Sequence, residues 1–195
     1  MKEGITLYFV RHGQTTWNAA RRIQGQLESD LSELGRSQAA GNGRRLREIR
    51  ADIDTLPFIA SPLRRCRDTM EIVRNELGLD PKSYATDDRL KEIHFGFLQD
   101  TYWPDFAPTY PEQAAAREAD PYKWRPDGGE SYADLAARTA GWLSELEQDT
   151  LVVSHGGVSR ALRGILYDID PVEMTELKVP QDKVLVLRKT EYQWL

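Results

Sequence analysis

A single cysteine, Cys66, excludes an internal disulfide framework and agrees with a reducing compartment. No apolar run approaches the length of a membrane span, so no membrane partner is expected. Basic residues are in deficit, with 26 Lys and Arg against 31 Asp and Glu, and the net charge of −5 disfavours a broad nucleic-acid footprint. Any anionic ligand therefore needs cations concentrated at one place. Met1 to Gly4 leads directly into an apolar strand pattern with no room for a cleavable leader, which makes the cytoplasm the expected location. Repeats and low-complexity tracts are missing too, and a length of 195 residues suits one domain spanning 1–195.

Several catalytic signatures are also missing. The chain has neither a Gly-rich Lys-Ser/Thr phosphate loop nor a G-x-S-x-G nucleophile elbow. The Cys-to-Arg spacing of tyrosine phosphatases fails, because Ile72 stands six positions after Cys66. No close group of His, Cys and Asp has metal-ligand spacing, so neither a metal nor another cofactor is expected.

Against this background the three histidines stand out. Ile5 to Val10 is an apolar, β-favouring run that stops at Arg11-His12-Gly13, and Thr150 to Ser154 is a second one that stops at His155-Gly156. Strands alternate with helical patterns: Ser32 can cap a helix to about Arg50, and Leu63, Cys66, Met70, Val73 and Leu77 mark another, with Ser61 as N-cap and Pro62 after it. Ser131 and Asp134 open a third in capping-box fashion, Val158 to Leu166 mark a fourth, and Lys183 to Lys189 supplies a last strand at an edge. The fold class expected is α/β, a three-layer α/β/α sandwich with a mostly parallel sheet. Residues 97–128 hold five of the ten prolines and six aromatic residues between Tyr102 and Trp124, which reads as a small cap or lid insertion rather than a linker.

In such sheets ligands collect beyond the carboxyl ends of the strands, at helix N-termini. Neighbouring parallel strands would bring His12 and His155 to one edge, with Arg11 beside the first and Arg64 and Arg65 opening the helix after a third strand. Guanidinium groups match phosphoryl oxygens bidentately, so this edge reads as a phosphate pocket. His94 reads as a packing histidine, and Arg67 as a residue of a solvated helix face.

The sequence resembles the histidine phosphatase superfamily of phosphoglycerate mutases and related phosphatases. The matching pieces are Arg11-His12-Gly13 with Gln14, Thr15 and Asn18; Leu31 to Gly35; Ser61 to Thr69; Leu90-Lys91-Glu92; Gly129-Glu130-Ser131; and Ser154-His155-Gly156-Gly157. The resemblance implies that His12 is the nucleophile that becomes phosphorylated, that Arg11, Arg65 and His155 hold the phosphoryl group, and that Glu92 is the proton donor. Asn18 and the Gln24-Gly25 turn match positions on the substrate side, and the helix after Gly156 aims its N–H groups at the pocket. Neutral imidazole is the attacking form, and a phosphohistidine replaces one hard displacement by two easier ones. The resemblance thus implies a metal-independent phosphomonoesterase for a small phosphorylated metabolite. The alternatives are mutase-type phosphoryl transfer and a catalytically weak phospholigand-binding protein. The region after Glu92 offers only Arg117, Lys123 and Arg125 as basic residues, fewer than a mutase of this family carries.

Overall fold

Two apolar runs form the centre of the sheet: β1 (Leu7–Arg11) is buried except at its last residue, and β4 (Thr150–Ser154) is buried throughout. The computed structural model describes all 195 residues. The other strands are β2 (Phe58–Ala60), β3 (Ala85–Thr86), β5 (Val184–Leu187) and β6 (Tyr192–Trp194), in the order β3-β2-β4-β1-β5-β6. β3, β2, β4 and β1 run parallel, and β5 alone runs against its neighbours. The mostly parallel sheet is as expected, but the last strand is not an edge strand. All four residues of β5 are apolar and buried on both faces, an interior signature, and the edge is the short Tyr192-Gln193-Trp194 segment.

Alternating strand side chains divide the core into two layers. Leu7, Phe9, Val152, Leu185 and Leu187 pack against α6 (Tyr132–Ser144) and α7 (Gly156–Tyr167). Tyr8, Val10, Leu151, Val153, Val184 and Val186 meet α2 (Glu33–Ile49) and α3 (Arg64–Glu76) on the other face. On α2, Leu34 is 54% exposed. The buried face is Gly35, Ala39, Asn42, Gly43 and Leu46, and α2 approaches α3 closely at Gly43, where a Cβ would overlap Glu76 and crowd the Val73 carbonyl.

The start of α3 also departs from expectation. Leu63 is its N-cap residue and makes no side-chain cap. Ser61 is fully buried and spends its hydroxyl on His155 Nε2 at 2.7 Å, while the Glu28 carboxylate accepts from the Arg64 N–H at 2.9 and 3.2 Å. The Ser131–Asp134 capping box of α6 is present. Residues 97–128 form α4 (Trp103–Thr109) and α5 (Pro111–Ala119), whose apolar cluster of Leu98, Phe106, Tyr110 and Trp124 also takes in Ile23 from the loop after β1. That loop carries the four-residue α1 (Thr16–Ala19), so Asn18 is helical and closes a capping box with Thr15. A six-residue α8 (Pro171–Glu176) packs on α7. No helix is long and apolar enough to cross a membrane.

Candidate active site

The parallel register pairs Arg11 with Ser154, and the His12 N–H donates to the Ser154 carbonyl at 2.9 Å. Both histidines therefore leave the sheet side by side, with ring centroids 5.2 Å apart in edge contact. His12 Nδ1 bonds the carbonyl of Gly13 at 2.8 Å; as that carbonyl only accepts, Nδ1 carries the proton and Nε2 keeps its lone pair. Burial, reinforced by Arg65 and Arg11, holds His12 well below the usual histidine value, so the ring is neutral.

Gly13 is fixed by close backbone approach. A Cβ there would overlap the Gly35 carbonyl, and a Cβ on Gly35 would overlap the Gln14 backbone. Ser32 accepts from the Gly35 N–H at 3.1 Å and donates to Gln14, completing the joint between the first loop and α2. The role of the Leu31–Gly35 stretch is thus to seat the turn that carries His12.

Two guanidinium groups flank this imidazole. Arg65 is 1% exposed and donates to the carbonyls of Gly25 at 2.7 Å and Leu27 at 2.8 Å, while its Nε has no partner. Arg11 donates to the Val179 carbonyl at 2.7 Å, and its Nε is likewise buried and unpartnered. Neither forms an ion pair, and burial lowers the proton affinity of both. Keeping such cations dehydrated without a carboxylate costs several kcal/mol each, which an anionic ligand offsets.

Glu92 forms another side of the cleft. Its carboxylate accepts from the Gly157 N–H at 3.1 and 3.2 Å, in the first turn of α7, and from the Ile93 N–H at 3.0 Å. Any Cβ on Gly157 would overlap Glu92 Oε1. Arg138 holds the segment behind it, donating to the carbonyls of Arg89, Lys91 and Glu92 and to the carboxylate of Glu130. Burial opposes ionisation of Glu130, but the Arg138 hydrogen bonds and charge outweigh it and leave the carboxyl below its ordinary value. The Gly129-Glu130-Ser131 motif thus anchors Glu92 rather than reaching the cleft.

The cleft has a volume of about 150 Å³, and Arg11, His12, Asn18, Gln24, Gly25, Arg65, Glu92 and Gly156 all line it. A model of the histidine phosphatase superfamily, branch 1, matches residues 7–195. The chain belongs to that superfamily. It is 38% identical over 166 residues to the metal-independent phosphoserine phosphatase of Arabidopsis thaliana, covering 82% of this chain and 68% of the relative. Identity to the glucosyl-3-phosphoglycerate phosphatase of Mycolicibacterium vanbaalenii is 34% over 179 residues, with coverage of 86% and 76%. A mycobacterial glucosyl-3-phosphoglycerate phosphatase solved with VO3 superposes with a TM-score of 0.82 at 30% identity, covering 98% of this chain and 97% of the other.

Within this histidine phosphatase site the sequence-derived residues do not all stand at the same depth. His155 does not line the cleft. It is completely buried behind His12, bonded to Ser61 and 3.3 Å from Cys66 Sγ, and burial followed by Arg65 holds its ring well below the usual histidine value. Arg64 turns away to an ion pair with Asp30 at 2.8 Å, so it does not join the other cations. His94 is a structural residue whose Nδ1 accepts from the Gly96 N–H at 3.0 Å.

Arg22, Trp103, Tyr132 and Arg160 line the cleft without having been singled out from the sequence. Arg160 had a readable signal, since it stands four residues after Gly156 and therefore on the same helix face. For Trp103 and Tyr132, aromatic residues in apolar patterns, sequence offers no distinction between core and cleft.

Proposed function

We propose that the chain is a metal-independent phosphomonoesterase that acts through a phosphohistidine on a small phosphorylated metabolite. The observation that carries this reading is the pair of buried, unpaired guanidinium groups of Arg11 and Arg65 beside a neutral His12 whose Nδ1 is already occupied. The Nε2 lone pair attacks phosphorus, the N–P bond forms as the bond to the leaving oxygen breaks, and Arg11 and Arg65 hold the equatorial oxygens. Glu92, at the mouth of the phosphoryl site, gives its proton to the departing alkoxide. Water then attacks the phosphohistidine, returns a proton to Glu92 and releases phosphate with His12 restored.

His155 supports the attack from behind, its edge contact and its bond to Ser61 keeping the His12 ring in place. Asn18 faces the substrate with its amide N–H groups, because its Oδ1 is taken by the Thr15 N–H and by Gln181. The 97–128 lobe acts as a cap on the leaving-group side, contributing Trp103 to the cleft wall. A reducing, cytoplasmic setting fits the fully buried free thiol of Cys66.

Rapid acid-free quenching with labelled phosphomonoester tests the reading. Wild type should yield an acid-labile, base-stable phosphoenzyme and release phosphate in the presence of chelator, and His12→Ala should lose both the label and nearly all turnover. Equal labelling of the two would remove His12 as nucleophile. Efficient interconversion of 3- and 2-phosphoglycerate with negligible phosphate release would make the protein a mutase instead.

A further inference from the structure

The cleft holds more positive charge than a phosphoryl group requires. Arg11 and Arg65 flank the nucleophile, and Arg22 is neutralised by an ion pair with Asp100. One cation is left over. Arg160, on α7, donates its Nε to the Leu177 carbonyl at 2.8 Å and its Nη1 to the Tyr132 hydroxyl at 3.2 Å, and forms no ion pair. Its Nη2 has no partner within the protein, and the side chain lines the cleft.

Tyr132 completes the arrangement. Its ring is 8% exposed, its hydroxyl accepts from Arg160 and donates to no group of the protein, and it too lines the cleft. Burial raises its proton affinity, so the hydroxyl keeps the hydrogen it offers. The guanidinium fork is fixed at two points before any ligand arrives, which reduces the ordering cost of binding. The insertion does not supply an equivalent: Arg125 pairs with Asp134, Arg117 stacks over Trp103, and neither they nor Lys123 line the cleft.

We propose that Arg160 and Tyr132 form a second anion subsite that binds a carboxylate on the leaving-group part of the substrate, making this a phosphatase for carboxylate-bearing phosphomonoesters. The apolar side of the same cleft, Ile23, Ile93, Phe95 and Trp103, suits the carbon skeleton between the two anions. Arg160 thereby determines specificity and takes no part in bond breaking. This assignment rests on the phosphomonoesterase reading above.

The comparison of 3-phosphoglycerate with glycerol 3-phosphate isolates the subsite, because the two differ only in carboxylate against hydroxymethyl and share a primary-alkoxide leaving group. Wild type should favour 3-phosphoglycerate in kcat/KM, and Arg160→Gln should lower the ratio of the two values by roughly ten- to a hundredfold, the worth of a charge-assisted hydrogen bond pair. Most of that change should lie in KM, and Tyr132→Phe should lower the ratio by a smaller factor. Arg160→Lys, which keeps the charge, should recover part of the ratio, and thermal melting reports whether each variant is folded.

An unchanged ratio, or an equal loss on both substrates, would overturn the carboxylate subsite while leaving the hydrolase intact. Absence of turnover on both substrates together with absence of phosphoenzyme in the wild type would instead bring down the phosphomonoesterase reading, and this inference with it.

Discussion

The inner and outer halves of the cleft are built by opposite means. Around His12 the structure relies on backbone: strand ends in register, carbonyls that fix Arg11 and Arg65, and glycines where chain meets chain. Its two guanidinium groups form no ion pair, and the Nε of each has no partner. Toward the mouth the walls are side chains from loops and from the 97–128 lobe, and the loop cation Arg22, unlike Arg160 on α7, is neutralised by Asp100 and stacked 4.0 Å from the Trp17 ring. Unpaired charge in a rigid frame is what transition-state stabilisation requires, since donors already in place cost no reorganisation during reaction.

Glu92 stands where the two halves meet, so its replacement should have the largest effect that depends on the substrate. Glu92→Gln should slow phosphoenzyme formation from an alkyl phosphate by about a hundredfold to ten-thousandfold, the range of general acid catalysis, and from p-nitrophenyl phosphate much less. Single-turnover rates provide the comparison, because slow hydrolysis of a shared phosphohistidine masks it at steady state. Equal losses on both esters would assign Glu92 to phosphoryl binding.

A matched pair of arginine variants probes the contrast itself. Arg65→Ala should reduce kcat by about a hundredfold to a thousandfold, as for the loss of one preorganised donor, whereas Arg22→Ala should cost less than about tenfold and act mainly on KM. Similar losses at the two positions would erase the distinction between inner and outer cations.

The smallest effect concerns stability. His12 and His155 are fully enclosed, and burial, with Arg65 adding repulsion, depresses both imidazoles far below 6.5. The folded chain keeps them neutral at a pH where the unfolded chain takes up protons. Stability owed to these groups is therefore full above about pH 6.5 and falls as pH drops beneath it, each histidine contributing a slope approaching about 1.4 kcal/mol per pH unit. Thermal melting from about pH 7.5 to 5.5 should show a falling Tm, and His155→Asn should flatten the slope. A Tm insensitive to pH in this range would mean that the folded protein accommodates both protonated rings.

The inner half was the legible one. Arg11-His12-Gly13 and Ser154-His155-Gly156 could be placed because an apolar run followed by a polar residue and glycine marks a strand end, and strand ends in a parallel sheet share an edge. What escaped was decided by tertiary contact. Ser61 carries the local signature of a helix cap, yet a buried imidazole within 2.7 Å claims its hydroxyl. Arg138 looks like any polar residue on α6 until three carbonyls of the 89–92 segment are seen to converge on it. β6 has only three residues, too few to show a period, and it forms because the neighbouring β5 offers a free edge. The depth of His155, behind His12 and outside the cleft lining, depends on ring packing that no spacing rule encodes.

The joint between Gly13 and Gly35 has a consequence for anyone who would remodel this protein. Each position is blocked by the other segment's main chain and not by a side chain, so no second substitution opens room for the first. A combinatorial library that varies both sites would hold no compensating pairs, and its survivors would fall back on glycine at each. The register between the His12 turn and α2 thus behaves as a welded part. Redesign of substrate preference has its freedom in the lobe and along the outer face of α7, where side chains rather than backbones make the contacts.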